Sequence, residues 1–271
     1  MKNIILFGAA LSMSLAAVLV SSCEKDQTPF LDSPTDYNLV DMQLDMAFQE
    51  IDDAGLASGL IRRGAYPQIT IDSTSGVIKR MVISWGSTPY LCPDGNYRSG
   101  SILVAWTGKY QEVGTTYTGE LRDFKQNDIS YGLTNFIVRN DGKNSDGHQK
   151  WAVTSSGKCF LGNGDSISWS GTRDRVWLEG EGTPNDRSDD KFEISGSNNF
   201  TNRKGKNFNA IITDKVIADF SCAWRITKGK VEIVPTLRPD WTMRLDYGDG
   251  SCQSKGTFTL GKKSHEFTKQ K

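Results

Sequence analysis

Residues 241–250 read Trp241-Thr242-Met243-Arg244-Leu245-Asp246-Tyr247-Gly248-Asp249-Gly250. Large apolar side chains fall on odd positions and polar ones on even positions, and the run closes on the turn-forming pair Asp249-Gly250. Strict alternation places one set of side chains on each face of an extended strand, so this stretch predicts a strand with one buried face that leads into a hairpin. Working outward, Phe258 and Leu260 precede Gly261-Lys262 and a last strand through Phe267. On the other side, Phe220, Cys222, Trp224 and Ile226 alternate with Ser221, Ala223, Arg225 and Thr227, and Lys228-Gly229 reads as a tight turn into Val231 and Ile233. The spacing predicts a five-strand meander over 220–268.

The same pattern runs back to Ala65: short β-branched and aromatic runs, broken by glycine, asparagine and aspartate every 8 to 12 residues. The expected fold is mainly β, an antiparallel β-sandwich or extended β-meander, preceded by one N-terminal amphipathic helix. That helix is read over 39–59, where Val40, Leu44, Ala47, Phe48 and Ile51 recur at three- and four-residue steps. Asp41, Asp45, Glu50, Asp52 and Asp53 lie mostly opposite them and read as a solvated face. Weak echoes link Arg80–Gly86 with Met243–Gly248, and Trp106-Thr107-Gly108 with Trp169-Ser170-Gly171, so the β-rich region 63–271 divides either into one unit or into two related ones near 155–165.

The first 22 residues form a secretory leader: Lys2, an apolar run from Ile4 to Val20, then Val20-Ser21-Ser22-Cys23. The last four residues resemble the bacterial lipobox, which implies cleavage before Cys23 and acylation of that cysteine. Glu24-Lys25-Asp26 follows, resembling a surface-export tag, and 23–38, with Pro29 and Pro34, reads as a tether. The implied address is the outer membrane, lipid-anchored through Cys23, with the cell-surface face favoured over the periplasmic one. Thirty-two lysines and arginines balance 32 aspartates and glutamates among 271 residues, which gives no long-range attraction to nucleic acid.

Cys92, Cys159, Cys222 and Cys252 remain, an even number for an oxidising compartment, and are read as structural. Cys222 and Cys252 share the C-terminal meander and are the preferred disulfide, which leaves Cys92 with Cys159. No metal site is expected, because His148 and His265 have no ligand-like spacing to any cysteine. The turn Asn140-Asp141-Gly142-Lys143-Asn144-Ser145-Asp146-Gly147 carries oxygens of the kind Ca2+ prefers, but it departs from the helix-loop-helix calcium pattern, so no cofactor is assigned. Carboxylates that could serve a glycan-acting hydrolase are Glu179 with Glu181, placed on one strand face about 7 Å apart, and Asp246 with Asp249. Trp151, Trp169 and Trp177 are candidate sugar-stacking platforms.

Cys222-Ala223-Trp224-Arg225-Ile226, Ile167-Ser168-Trp169-Ser170-Gly171-Thr172-Arg173 and the ending Asp246-Tyr247-Gly248-Asp249-Gly250-Ser251-Cys252 resemble an uncharacterised family of Bacteroidota outer-membrane lipoproteins. The resemblance implies a lipoprotein with a β-rich body and brings no reaction, ligand or partner. The expected function is that of a lipid-anchored, non-catalytic envelope protein that binds an extracellular ligand, a glycan or a partner protein. Alternatives are a hydrolase using the carboxylates above, and a fimbria-like assembly subunit processed at Arg62-Arg63-Gly64.

Overall fold

The computed structural model describes residues 28–56, 67–72, 78–92, 95–109, 112–183 and 186–269. Cys23, Glu24-Lys25-Asp26 and Arg62-Arg63-Gly64 lie outside them. A one-turn helix, α1 (Thr28–Leu31), precedes a long helix, α2 (Ser33–Leu56). Thirteen strands follow: β1 (Gln68–Asp72), β2 (Ile78–Leu91), β3 (Tyr97–Thr107), β4 (Thr116–Gln126), β5 (Ile129–Lys143), β6 (Gln149–Phe160), β7 (Ser166–Glu179), β8 (Lys191–Thr201), β9 (Asn207–Asp219), β10 (Ile226–Pro235), β11 (Met243–Asp249), β12 (Lys255–Leu260) and β13 (Lys263–Thr268). They form one sheet in chain order, each strand antiparallel to the next. The meander is therefore the form the β body takes. The sheet runs unbroken through 155–165, where β6 and β7 pair from Lys150↔Val176 to Phe160↔Ser166.

Alternation builds the concave face. Along β6 the side chains of Trp151, Val153, Ser155 and Cys159 are buried, and along β7 those of Ile167, Trp169, Arg173, Arg175 and Trp177. The sheet curls around α2. Side chains of the two helices meet β6 through Phe48 and Trp151, β8 through Tyr37 and Phe200, β9 through Phe30 and Phe208, and β11 through Asp41 and Tyr247. Leu39 and Gln43 border Ile129 and Tyr131 of β5.

Because every strand pairs with its sequence neighbours, alternate connections share one end of the sheet. One rim carries 92, 95–96, 127–128, 161–165, 202–206, 236–242 and 261–262. The helix starts there: Asn202 Nδ2 donates to Ser33 Oγ at 3.0 Å, Arg203 holds Asp36, and Phe30 packs edge-on to Trp241. It ends near the opposite rim, where Arg187 pairs with Asp52.

Three expectations are corrected. The helix begins at Ser33, not 39, so Ser33, Asp36, Tyr37 and Asn38 are buried helix and not tether. Ser33-Pro34 is a start signal, since proline suits the first turn, where its missing N–H is not needed. Residues 220–225 form a connection and not a strand, which leaves four strands, β10–β13, after it. Lys228-Gly229 is a bulge inside β10 and not a turn: the register slips there against both neighbours, and Gly229 has φ +117° with Val216 Cα 2.5 Å from where a Cβ would sit.

Candidate functional site

Three acids of the α2 stripe lie inside the fold. Asp41, Asp45 and Asp52 are buried, and each meets an arginine: Arg173 and Arg175 from adjacent inward positions of β7, and Arg187 from the β7–β8 connection. This corrects the solvated face read from the helix alone. Tyr247 Oη donates to Asp41 at 3.3 Å, and Arg173 donates to Tyr37 Oη at 3.0 Å. The Arg175 guanidinium lies between the rings of Phe48 at 4.2 Å and Phe192 at 3.9 Å. Arg187 also binds Asp190 at 2.8 Å, and Trp177 Nε1 donates to the same carboxylate at 2.9 Å. Burial pushes the Asp190 carboxyl up to about 6, against the opposing pull of Arg187 and Trp177.

Beside this ion-paired seam lies a cavity of about 380 Å³, bounded by α2, the ends of β3 and β4, and the 220–225 connection. Met42, Met46 and Phe220 give it apolar walls, and Arg98 and Arg225 bring guanidinium groups to it. Arg98 Nε donates to Gln126 Oε1 at 3.1 Å. Arg225 binds Gln49 of the helix and lies 4.5 Å above the Phe220 ring. The connection is held in shape by Asp219, which accepts from the Ser221 amide at 3.0 Å and from Ser221 Oγ at 2.6 Å. It is also held by the disulfide Cys222–Cys252, the pair expected from the sequence.

The lining includes one carboxylate, Asp45, already bound by Arg175, and no histidine. Its cysteine is in the disulfide. Two permanently charged guanidinium groups beside methionine and phenylalanine can hold an anionic group attached to an apolar body.

The other candidates lie elsewhere. Trp151 and Trp177 are 0 % exposed and Trp169 4 %, so all three are core side chains and not sugar platforms. Trp151 and Trp177 pack with each other and with Phe192, and Trp169 covers Gly157, where a Cβ would come within 2.6 Å of the indole. Glu179 and Glu181 do not share a strand face: β7 ends at Glu179, Gly180 turns with φ +94°, and the two carboxylates pair with Lys191 and Lys143. Asp246 and Asp249 border a shallow outer depression with Asp214, Lys228, Lys230 and Lys255. Lys230 stands 3.7 Å from Asp246, and hydrogen bonds from the Ser251 hydroxyl and amide hold the Asp249 carboxyl below its ordinary value.

Asn144 Oδ1, in the turn considered for calcium, accepts from the amides of Asp146 and His148, and Asp141 binds Arg139. Among the described residues no group of three His, Cys, Asp or Glu could hold a metal. Cys92 and Cys159 are buried free thiols and not a second disulfide; they sit in the β2–β3 connection and mid-sheet on β6. Burial pushes the Cys159 thiol up to about 11, so it stays protonated.

Neither cavity arginine carries a binding signal in the sequence: Arg98 fits no motif, and alternation puts Arg225 on the outer face of a strand that does not form. Comparison with known protein families, curated proteins and solved structures finds no match for the chain.

Proposed function

We propose that the chain is a lipid-anchored, non-catalytic protein of the outer envelope that holds a small anionic ligand with an apolar body in the cavity between α2 and the 220–225 connection. The observation that carries the ligand reading is the convergence of Arg98 and Arg225 on a space walled by Met42, Met46 and Phe220. A binding role fits better than a hydrolytic one because the candidate carboxylates are engaged elsewhere: Glu179 and Glu181 pair with Lys191 and Lys143, Asp246 lies beside Lys230, and Asp249 accepts from Ser251. The anchor rests on the lipobox-like Val20-Ser21-Ser22-Cys23, and the surface-facing location on the charged residues that follow it.

The test is calorimetric titration with octanoate, benzoate and inorganic phosphate, with octanamide as the uncharged control. Octanoate is expected to bind and octanamide not to. Arg225→Ala should weaken octanoate by about ten- to one-hundred-fold, the loss of a charge-assisted contact. Equal binding by the Arg225→Ala variant, or no binding by any of the three anions, would overturn the assignment.

A further inference from the structure

The rim at which the helix begins differs from the opposite one in both charge and surface chemistry. By sequence its six connections hold five basic residues, Arg203, Lys204, Lys206, Arg238 and Lys262, against four acidic ones. The connections of the opposite rim hold six acidic residues, from Glu112 to Asp190, against three basic. The basic rim also exposes large apolar side chains: Leu237 at 89 %, Leu91 at 52 %, Tyr97 at 50 % and Phe160 at 49 %. Leu237 stands in the β10–β11 connection, two residues before the turn whose Trp241 packs on Phe30. Leu91 pairs with Tyr97, Tyr97 exchanges hydrogen bonds with Asn127, and Phe160 pairs with Ser130, so these positions follow one another along the rim. The Lys158 ammonium lies 5.1 Å over the Phe160 ring.

The described chain begins at this rim, with Thr28 of α1. Thr28 is five steps along the chain from Cys23, and a chain can span at most about 18 Å in that many steps. An acyl group on Cys23 would therefore keep this rim, and not the acidic one, close to the bilayer.

We propose that the basic rim is a membrane-docking surface, seated on anionic phospholipid with Leu237 and Phe160 in the interfacial layer and Lys204 and Lys206 against the headgroup phosphates. Exposed leucine and aromatic side chains beside lysines are the chemistry that such an interface selects. The repelled acidic rim then faces away from the lipid. The distance argument rests on the acylation reading above, but the surface itself does not need the acyl chain.

The test uses the chain from residue 23 onward, which holds every described residue, carrying Cys23→Ser. It is co-sedimented with vesicles of phosphatidylethanolamine and phosphatidylglycerol and with vesicles of phosphatidylcholine alone. Binding is expected to the anionic vesicles and to fall about five-fold for each of Lys204→Glu and Lys206→Glu. It should fall at least ten-fold for Leu237→Asp combined with Phe160→Asp, while Val113→Asp on the opposite rim leaves it unchanged. No preference for the anionic vesicles, or equal loss from Val113→Asp, overturns the docking surface. The mass of the Cys23 peptide from cell membranes reports acylation separately. An acylated Cys23 with no vesicle binding removes the docking surface and keeps the anchor, and vesicle binding with an unmodified Cys23 does the reverse.

Discussion

Arg175, held by Asp45 and sandwiched between Phe48 and Phe192, shows what the concave face asks of single residues. Two charges withdrawn from water are tolerated because each meets the other, and removal of one strands its partner. Asp45→Ala should therefore destabilise the protein by about 3–5 kcal/mol. Asp45→Ala with Arg175→Met should recover much of that loss, because methionine fills the space between the rings without a charge. Urea midpoints of the two variants check this, and a double variant no more stable than the single one would contradict it. Asp190 gives a pH signature. Its folded value of about 6 exceeds that of an unfolded aspartate, so its contribution to stability is complete below about pH 4 and is lost as pH rises through 6. The stability of wild type relative to Asp190→Asn should fall between pH 4 and 7, and parallel curves for the two proteins would refute the assignment. These pairings were half legible in the sequence. Arg173 and Arg175 are in phase with Ile167, Trp169 and Trp177, so period two puts all five on one face, and the structure makes that face the inner one. The acid that meets Arg175 stands 130 residues away, beyond the reach of any local pattern, and without it a stripe of aspartates reads as a wet face.

At the scale of elements, alternation marks the C-terminal strands β11–β13 and only the β class of the region before them, and it fails where a backbone exception intervenes. Phe220–Ile226 alternates as well as β11 does, yet Asp219 folds back on Ser221 and the disulfide draws Cys222 toward Cys252, so the segment becomes a connection. Lys228-Gly229 carries a turn-like pair but keeps its strand, because the bulge needs a residue that tolerates positive φ and close contact with Val216. The disulfide spans 30 residues, and loop-closure entropy assigns such a crosslink roughly 3–4 kcal/mol. Cys222→Ser with Cys252→Ser should lower the urea midpoint accordingly, with a further loss of octanoate affinity, since the same bond fixes a wall of the cavity. A full-strength octanoate response in that double variant would separate the connection from the binding site.

For the whole molecule, the all-β class with one helix near the N-terminus follows from the periodicities, whereas the course of the sheet does not. Thirteen strands in chain order is the simplest topology available, but its curl depends on what fills the concave side, and the filling is a helix bound by side chains from β6 to β11. No stretch of sequence records that arrangement by itself. The two rims make the molecule polar, with the start of the helical segment, α1 and Ser33 of α2, at the basic end.

Asp41 touches Tyr247, 206 residues later, and through Arg173 it also depends on the middle of the chain. During synthesis the helix therefore emerges long before the residues that neutralise it. Contacts so distant in sequence close slowly, because most of the chain must be gathered before they form. Until β7 and β11 arrive, Asp41, Asp45, Phe48 and Leu44 have only water or foreign surfaces to meet. The helix is thus made early in the chain, while the sheet that covers it is made late.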